Sequence, residues 1–290
     1  MKTAKLRFLA SMAIFGTVGI FVRMIPMSST AIAFFRGLVG LIFLLCVMVL
    51  TKKPPSLGDI RKNAWVLLLS GAAMGFNWIL LFEAYRYTTV ATATVCYYLA
   101  PAFVLLASPL LGERLTAKKL ICAAVALAGM VCVSGVLSVK QQTGTDLLGV
   151  AAGVGAAVLY ATVMLLNKKL PPMAAYDKTS VQLGAASLVI LPYMLLTEGI
   201  PQLPTETEGI VCLLVVCVIH TGFAYAMYFG AMSHVNAQTV AIFSYLDPVI
   251  AILLSALLLR EPMDMFGVIG SVLILGSALY SELPVGEKEG

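Results

Sequence analysis

The 290 residues are 60% hydrophobic and only 11% charged, with a mean hydropathy of +0.98. That balance lies outside the range of soluble domains and places the chain in lipid. The formal charge of +5 sits in short breaks between apolar stretches, where it reads as topology beside an anionic leaflet and argues against nucleic acid as a partner.

Apolar stretches of roughly 20 residues, enough to cross about 30 Å of hydrocarbon as a helix, recur along the whole sequence. They fall at 7–24, 30–50, 64–83, 89–111, 117–137, 147–167, 178–197, 209–231, 236–258 and 265–281, ten spans in all. An open strand would leave backbone groups unpaired in lipid, and the alternation of a membrane barrel is absent. The expected class is therefore an all-α integral membrane protein with almost nothing left for a soluble domain.

Span 1 follows Lys2, Lys5 and Arg7 as a signal peptide would, but no small-residue cleavage site follows and Arg23 and Pro26 lead straight into span 2. Span 2 carries Arg36, a charge that must snorkel, pair with an acid such as Glu83, or attract a substrate carboxylate. Span 3 holds Asn77 and Trp78 at its middle, and Glu83 and Arg86 three apart at its end, the spacing of an interfacial ion pair. Span 4 places Tyr97 and Tyr98 beside the helix-breaking Pro101. Span 5 presents the small-residue run VALAGMVCVSG, span 6 LLGVAAGVGAAVLY with Tyr160, and span 10 GVIGSVLILGSALY, faces through which helices approach closely.

Span 7 carries Gln182, and span 8 contributes His220, Tyr225 and Tyr228. Span 9 adds Gln238, Tyr245 and, directly before the second helix-breaking proline Pro248, Asp247. A charge at the bilayer centre costs about 2.5 to 3.5 kcal/mol on insertion scales, so Asp247 should face a cavity or a partner. Pro248 removes a backbone donor and leaves the Ser244 carbonyl free to face the same cavity. The cost of burying its charge would let Asp247 take up and release a proton near neutral pH; the alternative is a carboxylate bound to a neighbouring donor. Buried Tyr and Trp need hydrogen-bond partners, and a cavity lined by them suits a solute with flat apolar and polar parts. His220 reads as a proton relay or as a hydrogen-bonded structural residue. Tyr85, Tyr87, Tyr193 and Tyr280, near span ends, read as interfacial anchors.

The six cysteines fall inside spans without a CxxC pair, so neither disulfides nor a zinc site is expected, and no cofactor is implied. Of the 19 lysines and arginines, only Arg23, Arg86, Lys140 and Arg260 lie at the span ends opposite the amino terminus, and Arg36 lies within a span. That bias predicts a multi-pass cell-membrane protein, plasma or inner, with both termini cytoplasmic.

A repeat underlies the spans. A shift of 147 residues lays Ala84 on Ala231, Thr92 on Thr239, Tyr98 on Tyr245, Leu99 on Leu246, Pro101 on Pro248 and Gly129 on Gly276, and one added residue brings Gly112-Glu113 onto Arg260-Glu261. The same register puts Tyr225 opposite Trp78 and Gln182 near Arg36. The halves are 1–140, spans 1 to 5, and 141–290, spans 6 to 10. Five is odd, so the second half enters the membrane inverted. The cations of GERLTAKK after span 4 and the acids of REPMD after span 9 agree with opposite faces. Such halves can expose a midplane site first to one side and then to the other.

The two phrases AYRYTTVATATVCYYLAPAFVLLASPLLGERLTAKKLICAAVALAGMVCVSG (84–135) and AMSHVNAQTVAIFSYLDPVIAILLSALLLREPMDMFGVIGSVLILGSALY (231–280) resemble the drug/metabolite transporter superfamily, specifically its EamA-type exporters. Each phrase has its proline and terminal glutamate in the family's places, Arg36 also matches, and the likeness covers essentially the whole chain. The resemblance implies ten helices in two inverted five-helix repeats and export of a small solute, with members moving amino acids, nucleotide sugars, drugs or small metabolites. Asp247 departs from it, since most such phrases have an uncharged residue there.

The expected function is secondary active export of a small metabolite, an amino acid or related solute, by alternating access and linked to protons. With no GxxxxGK loop, ATP is not the direct energy source. The alternatives are a facilitative or uptake carrier for nucleotide-type or drug-like solutes, a membrane-embedded enzyme, and a scaffold or receptor. The enzyme lacks HExxH, an aspartate-rich pair and any acidic or histidine cluster on a cytoplasmic loop. Expected partners are the solute, the bilayer and protons, with the chain a monomer or homodimer.

Overall fold

A computed structural model describes residues 2–107, 117–133, 144–171, 173–232, 246–261 and 264–282, and every regular element among them is helical. In chain order these are α1 Lys2–Gly16, α2 Val18–Arg23, α3 Ser29–Leu50, α4 Leu57–Lys62, α5 Ala64–Tyr87, α6 Val90–Tyr97 and α7 Ala100–Ala107. There follow α8 Ala117–Val133, α9 Gly144–Lys168, α10 Ala175–Thr197 and α11 Thr207–Leu214, a π-helical stretch Val215–Phe223, α12 Ala224–Met232, α13 Leu246–Leu257 and α14 Met265–Glu282.

Six helical runs are long and apolar enough to cross a membrane: Thr3–Arg23, Ser29–Leu50, Ala64–Tyr87, Thr145–Asn167, Tyr176–Thr197 and Thr207–Tyr228. They match spans 1, 2, 3, 6, 7 and 8. Shorter apolar helices at Val90–Val104, Leu120–Gly129, Leu246–Leu257 and Met265–Ser277 occupy the places of spans 4, 5, 9 and 10.

Three expected spans are interrupted. Span 1 breaks at Thr17, whose hydroxyl donates to the Ile14 carbonyl at 2.8 Å and so competes with the helical ladder. Span 4 breaks at Tyr98-Leu99, and Pro101 lies in the first turn of α7, where a missing N–H costs least. Pro248 occupies the matching first turn of α13. Span 8 widens into the π-helical stretch, in which Thr221 donates to the Val216 carbonyl five residues back at 3.0 Å.

The packing follows a pattern that exchanges each span with the one five later. Span 3 lies along span 6 (α5 on α9) as span 8 lies along span 1 (α12 on α1). Span 3 meets span 7 (α5 on α10) as span 8 meets span 2, through the π-helical stretch on α3. Span 4 meets span 6 (α6 and α7 on α9) as span 9 meets span 1 (α13 on α1). Spans 2 and 7, 4 and 9, and 5 and 10 pack against their own counterparts, as α3 on α10, α6 on α13 and α8 on α14.

Lipid offers no hydrophobic drive between helices, so close backbone approach must hold them. Glycine provides it where α5 meets α10: a Cβ at Gly71 would lie 2.6 Å from the Gln182 carbonyl oxygen. Around that seam Trp78, Phe82, Leu183 and Ile190 form the largest core.

Candidate substrate site

The break in span 4 and the first turn of α13 bring Tyr98 and Asp247 together. Tyr98 donates its phenolic hydrogen to Asp247 Oδ2 at 2.8 Å. Gly16, at the end of α1, sits against the same turn, and a Cβ there would lie 2.7 Å from the Asp247 carbonyl oxygen.

Tyrosines spread from this contact. Tyr97 meets Tyr98 edge-on at 6.0 Å and stacks on Tyr160 of α9 at 5.0 Å. The Tyr97 hydroxyl donates to Asn77 Oδ1 at 3.4 Å, while Asn77 Nδ2 holds the Ala156 carbonyl across the α5–α9 seam. Tyr160 keeps 38% of its surface free, although Asp247, Tyr225 and Tyr228 lie within its electrostatic reach. Tyr97, Tyr98, Tyr225, Tyr228 and Asp247 are likewise half-buried. Together these side chains form one polar aromatic cluster that retains free surface, the candidate wall of a solute chamber. Phe15 closes one wall, edge-on to Tyr225 at 5.4 Å and Tyr228 at 6.2 Å.

Arg36 lies on a neighbouring wall, 6% exposed. Its guanidinium carbon stands 4.6 Å from the Trp78 ring centre and 5.7 Å from that of Phe82, a cation between aromatic faces. Nε donates to Thr221 Oγ1 at 2.9 Å. The guanidinium neither snorkels nor pairs with Glu83, which faces Arg86 at 3.8 Å. The reason is the π-helical stretch, which turns Thr221 toward α3 and seats Arg36 inward. Among the described residues no carboxylate lies at ion-pair distance from Arg36.

The same stretch sends His220 the other way. His220 Nε2 is 2.7 Å from Thr17 Oγ1, Nδ1 faces the Val215 carbonyl at 3.2 Å, and Phe21 lies 5.2 Å away. This histidine is 1% exposed and holds the break in span 1. Gln182, set near Arg36 by the repeat, is a separate buried node that donates to Ser70 Oγ at 2.7 Å and Asn167 Oδ1 at 2.8 Å. Tyr85 is a correction: 4% exposed, it is a core residue beside the chamber and no interfacial anchor. Its position at the end of a span misled, because α5 runs on to Tyr87 and keeps that turn inside protein. Gln238 and Tyr245 lie outside the described residues, as does Glu113. Thr17, Thr221 and Phe82 carried no sequence signal, being ordinary hydroxyl and apolar residues within apolar runs.

Comparisons with known proteins bear on the family and the fold. Residues 3–135 and 147–281 each match the EamA-like transporter family. The uncharacterized transporter YxxF of Bacillus subtilis is 27% identical over 96% of this chain and 89% of its own. The inner membrane transporter YhbE of Escherichia coli is 26% identical over 89% of this chain and 83% of its own. A crystal structure of a further protein superposes with a TM-score of 0.62 over 97% of this chain and 96% of that one, at 17% identity, a likeness of fold.

Proposed function

Because the chain belongs to the EamA-like transporter family, and is thus a multi-pass membrane transporter of small molecules, we propose that it is a secondary exporter of an amino acid or related solute, working by alternating access with proton exchange at Asp247. The observations that support this reading are two side chains of opposite charge type inside the bundle, each held among aromatic rings. Arg36 has its guanidinium between Trp78 and Phe82 with no carboxylate partner among the described residues, and Asp247 has Tyr98 as its donor.

A zwitterionic solute matches that pair. Its carboxylate would take the planar guanidinium, which suits bidentate recognition. Its ammonium would take Asp247 in place of the Tyr98 hydroxyl, and its side chain would rest on Tyr97 and Tyr160. A proton arriving at Asp247 would weaken its hold on the ammonium and release the solute, which links the two fluxes.

The exchange pattern of the packing and the double family match support two related halves. Five spans per half give an axis in the membrane plane, and the lysine and arginine bias puts both termini in the cytoplasm. The Arg23 end of the bundle then faces outside.

Counterflow of radiolabelled amino acids into proteoliposomes tests the reading. Saturable uptake that rises with an imposed pH gradient is expected, and Asp247→Asn should lose the gradient dependence. Saturable flux without response to pH or voltage would replace it with a facilitative carrier. Thermal stabilisation by nucleotide derivatives and none by amino acids would reassign the solute class.

A further inference from the structure

Four elements meet at a single carboxylate at the Arg23 end of the bundle. Glu261 Oε1 pairs with Arg23 Nη1, while Oε2 accepts from the Val90 N–H at 2.8 Å and from the Ser255 hydroxyl. Arg23 places two further donors on backbone: Nε on the Tyr85 carbonyl at 2.7 Å and Nη2 on that of Thr88. The node ties the last residue of α2 to the ends of α5 and α13 and to the first residue of α6. Arg260 adopts a left-handed backbone, φ 51°, which turns the chain so that the Glu261 N–H meets the Ser255 carbonyl at 3.2 Å.

The node is also electrostatically matched. A carboxylate at the start of α6 faces the positive end of that helix, whose other early N–H is taken by Thr89 Oγ1 from Thr92. The Glu261 side chain is 9% exposed and that of Arg23 31%. Removing Arg23 would leave the Glu261 carboxylate covered and short of a partner, whereas Arg23, partly exposed, would keep its two carbonyls.

Both short helices held by the node end at Asp247. α2 joins α1 at Gly16-Thr17, and Gly16 lies on the Asp247 backbone. α6 ends at Tyr98, which holds the Asp247 carboxylate. Six residues of span 1 and eight of span 4 are thus independent helical pieces, latched at one end and jointed beside the substrate site at the other.

We propose that α2 and α6 form the gate over the Arg23 end of the chamber, latched by Glu261 and Arg23 and jointed at Thr17 and Tyr98. This rests on the transporter reading and adds to it the moving parts. A solute or proton that takes Asp247 from Tyr98 loosens the joint of α6. Opening then requires only that the Glu261 node part, with α1 and α7 left in place.

The test reads access, and so needs no known solute. Tyr97→Cys places a thiol at the chamber end of α6, and a membrane-impermeant maleimide is applied from the Arg23 face. With the adjacent Cys96 replaced by alanine, its reaction at position 97 is followed by peptide mass spectrometry, which separates it from the remaining native cysteines. With the latch intact labelling is slow. Glu261→Gln and Arg23→Gln should each raise the rate about tenfold by shifting the population toward the open state, and from that face alone. Arg23→Lys keeps the charge but loses the fork of carbonyl bonds, and should give a smaller rise; it decides the matter if the other variants do not fold. Rates within about twofold of the parent in folded protein, even with a lowered Tm, would mark the node as a static clamp and overturn the gate. Fast labelling in the variants, with no solute flux in the parent protein that keeps Tyr97, would leave the gate standing and remove the exporter reading instead.

Discussion

Tyr98 donates to Asp247 across 2.8 Å, and the two residues are not equivalent in the repeat. The shift of 147 sets Tyr98 against Tyr245 and Asp247 against Ala100. The contact therefore breaks the likeness of the halves at one point, where a carboxylate replaces a methyl group. A charge at the bilayer centre costs about 2.5 to 3.5 kcal/mol, and a hydrogen bond to a charged group contributes about 1.5 to 3 kcal/mol. One tyrosine thus offsets much of the cost, and what remains is available for a solute or a proton to alter.

Coupling between these residues is measurable without transport. Tyr98→Phe removes the donor while keeping the ring, and should cost about 1 to 3 kcal/mol, seen as a lower Tm in detergent. In the Asp247→Asn background the same change should cost less, with a coupling of at least about 1 kcal/mol. Fully additive shifts would mean that the hydroxyl has another role.

Arg36 supplies a second case. Its guanidinium stands 4.6 Å from Trp78 and its Nε is bound by Thr221. Arg36→Lys keeps the charge and loses both the planar contact and the Nε bond. The change should lower the Tm clearly, whereas Arg61→Lys, on the exposed α4, should leave it within about 0.5 kcal/mol equivalent. Equal effects would remove the aromatic seat as the reason for tolerating the charge.

Six of the crossing helices were legible in the sequence because lipid imposes length and apolarity on each of them. Tyr97, Tyr98, Tyr160, Asn77 and Asp247 were likewise marked, being polar in the middle of apolar runs. Arg36 was marked as a charge, but not its seat, since nothing in VVCVIHTGF announces a π-helical stretch that turns Thr221 and His220 to different neighbours. Neither did Arg23 and Glu261 announce each other across 238 positions. Each is an ordinary residue for the end of a span, and only the way the spans assemble pairs them.

The break in span 1 is held by one hydroxyl shared between Ile14 and His220. Thr17→Val preserves shape and leaves a fully buried imidazole nitrogen without its partner, at about 1 to 3 kcal/mol. Thr17→Ser should retain most of the stability. A Tm unchanged in Thr17→Val would show that the histidine is satisfied by other means.

The repeat itself yields the sharpest contrast, because Gly129 and Gly276 occupy equivalent places in spans 5 and 10. At Gly129 a Cβ would meet the Gly270 carbonyl oxygen at 2.8 Å and Leu273 Cβ at 2.9 Å, so α8 and α14 would have to separate. At Gly276 a Cβ would meet nothing within 4 Å among the described residues. Gly129→Ala should therefore destabilise by about 1 to 3 kcal/mol through overpacking. Gly276→Ala should be neutral or stabilising by up to about 1 kcal/mol, since alanine is the better helix former. Thermal unfolding of the two variants side by side decides it. If both are destabilised alike, the face around Gly276 is covered by something outside the single chain, and a second copy in the membrane becomes the first candidate to test by cross-linking.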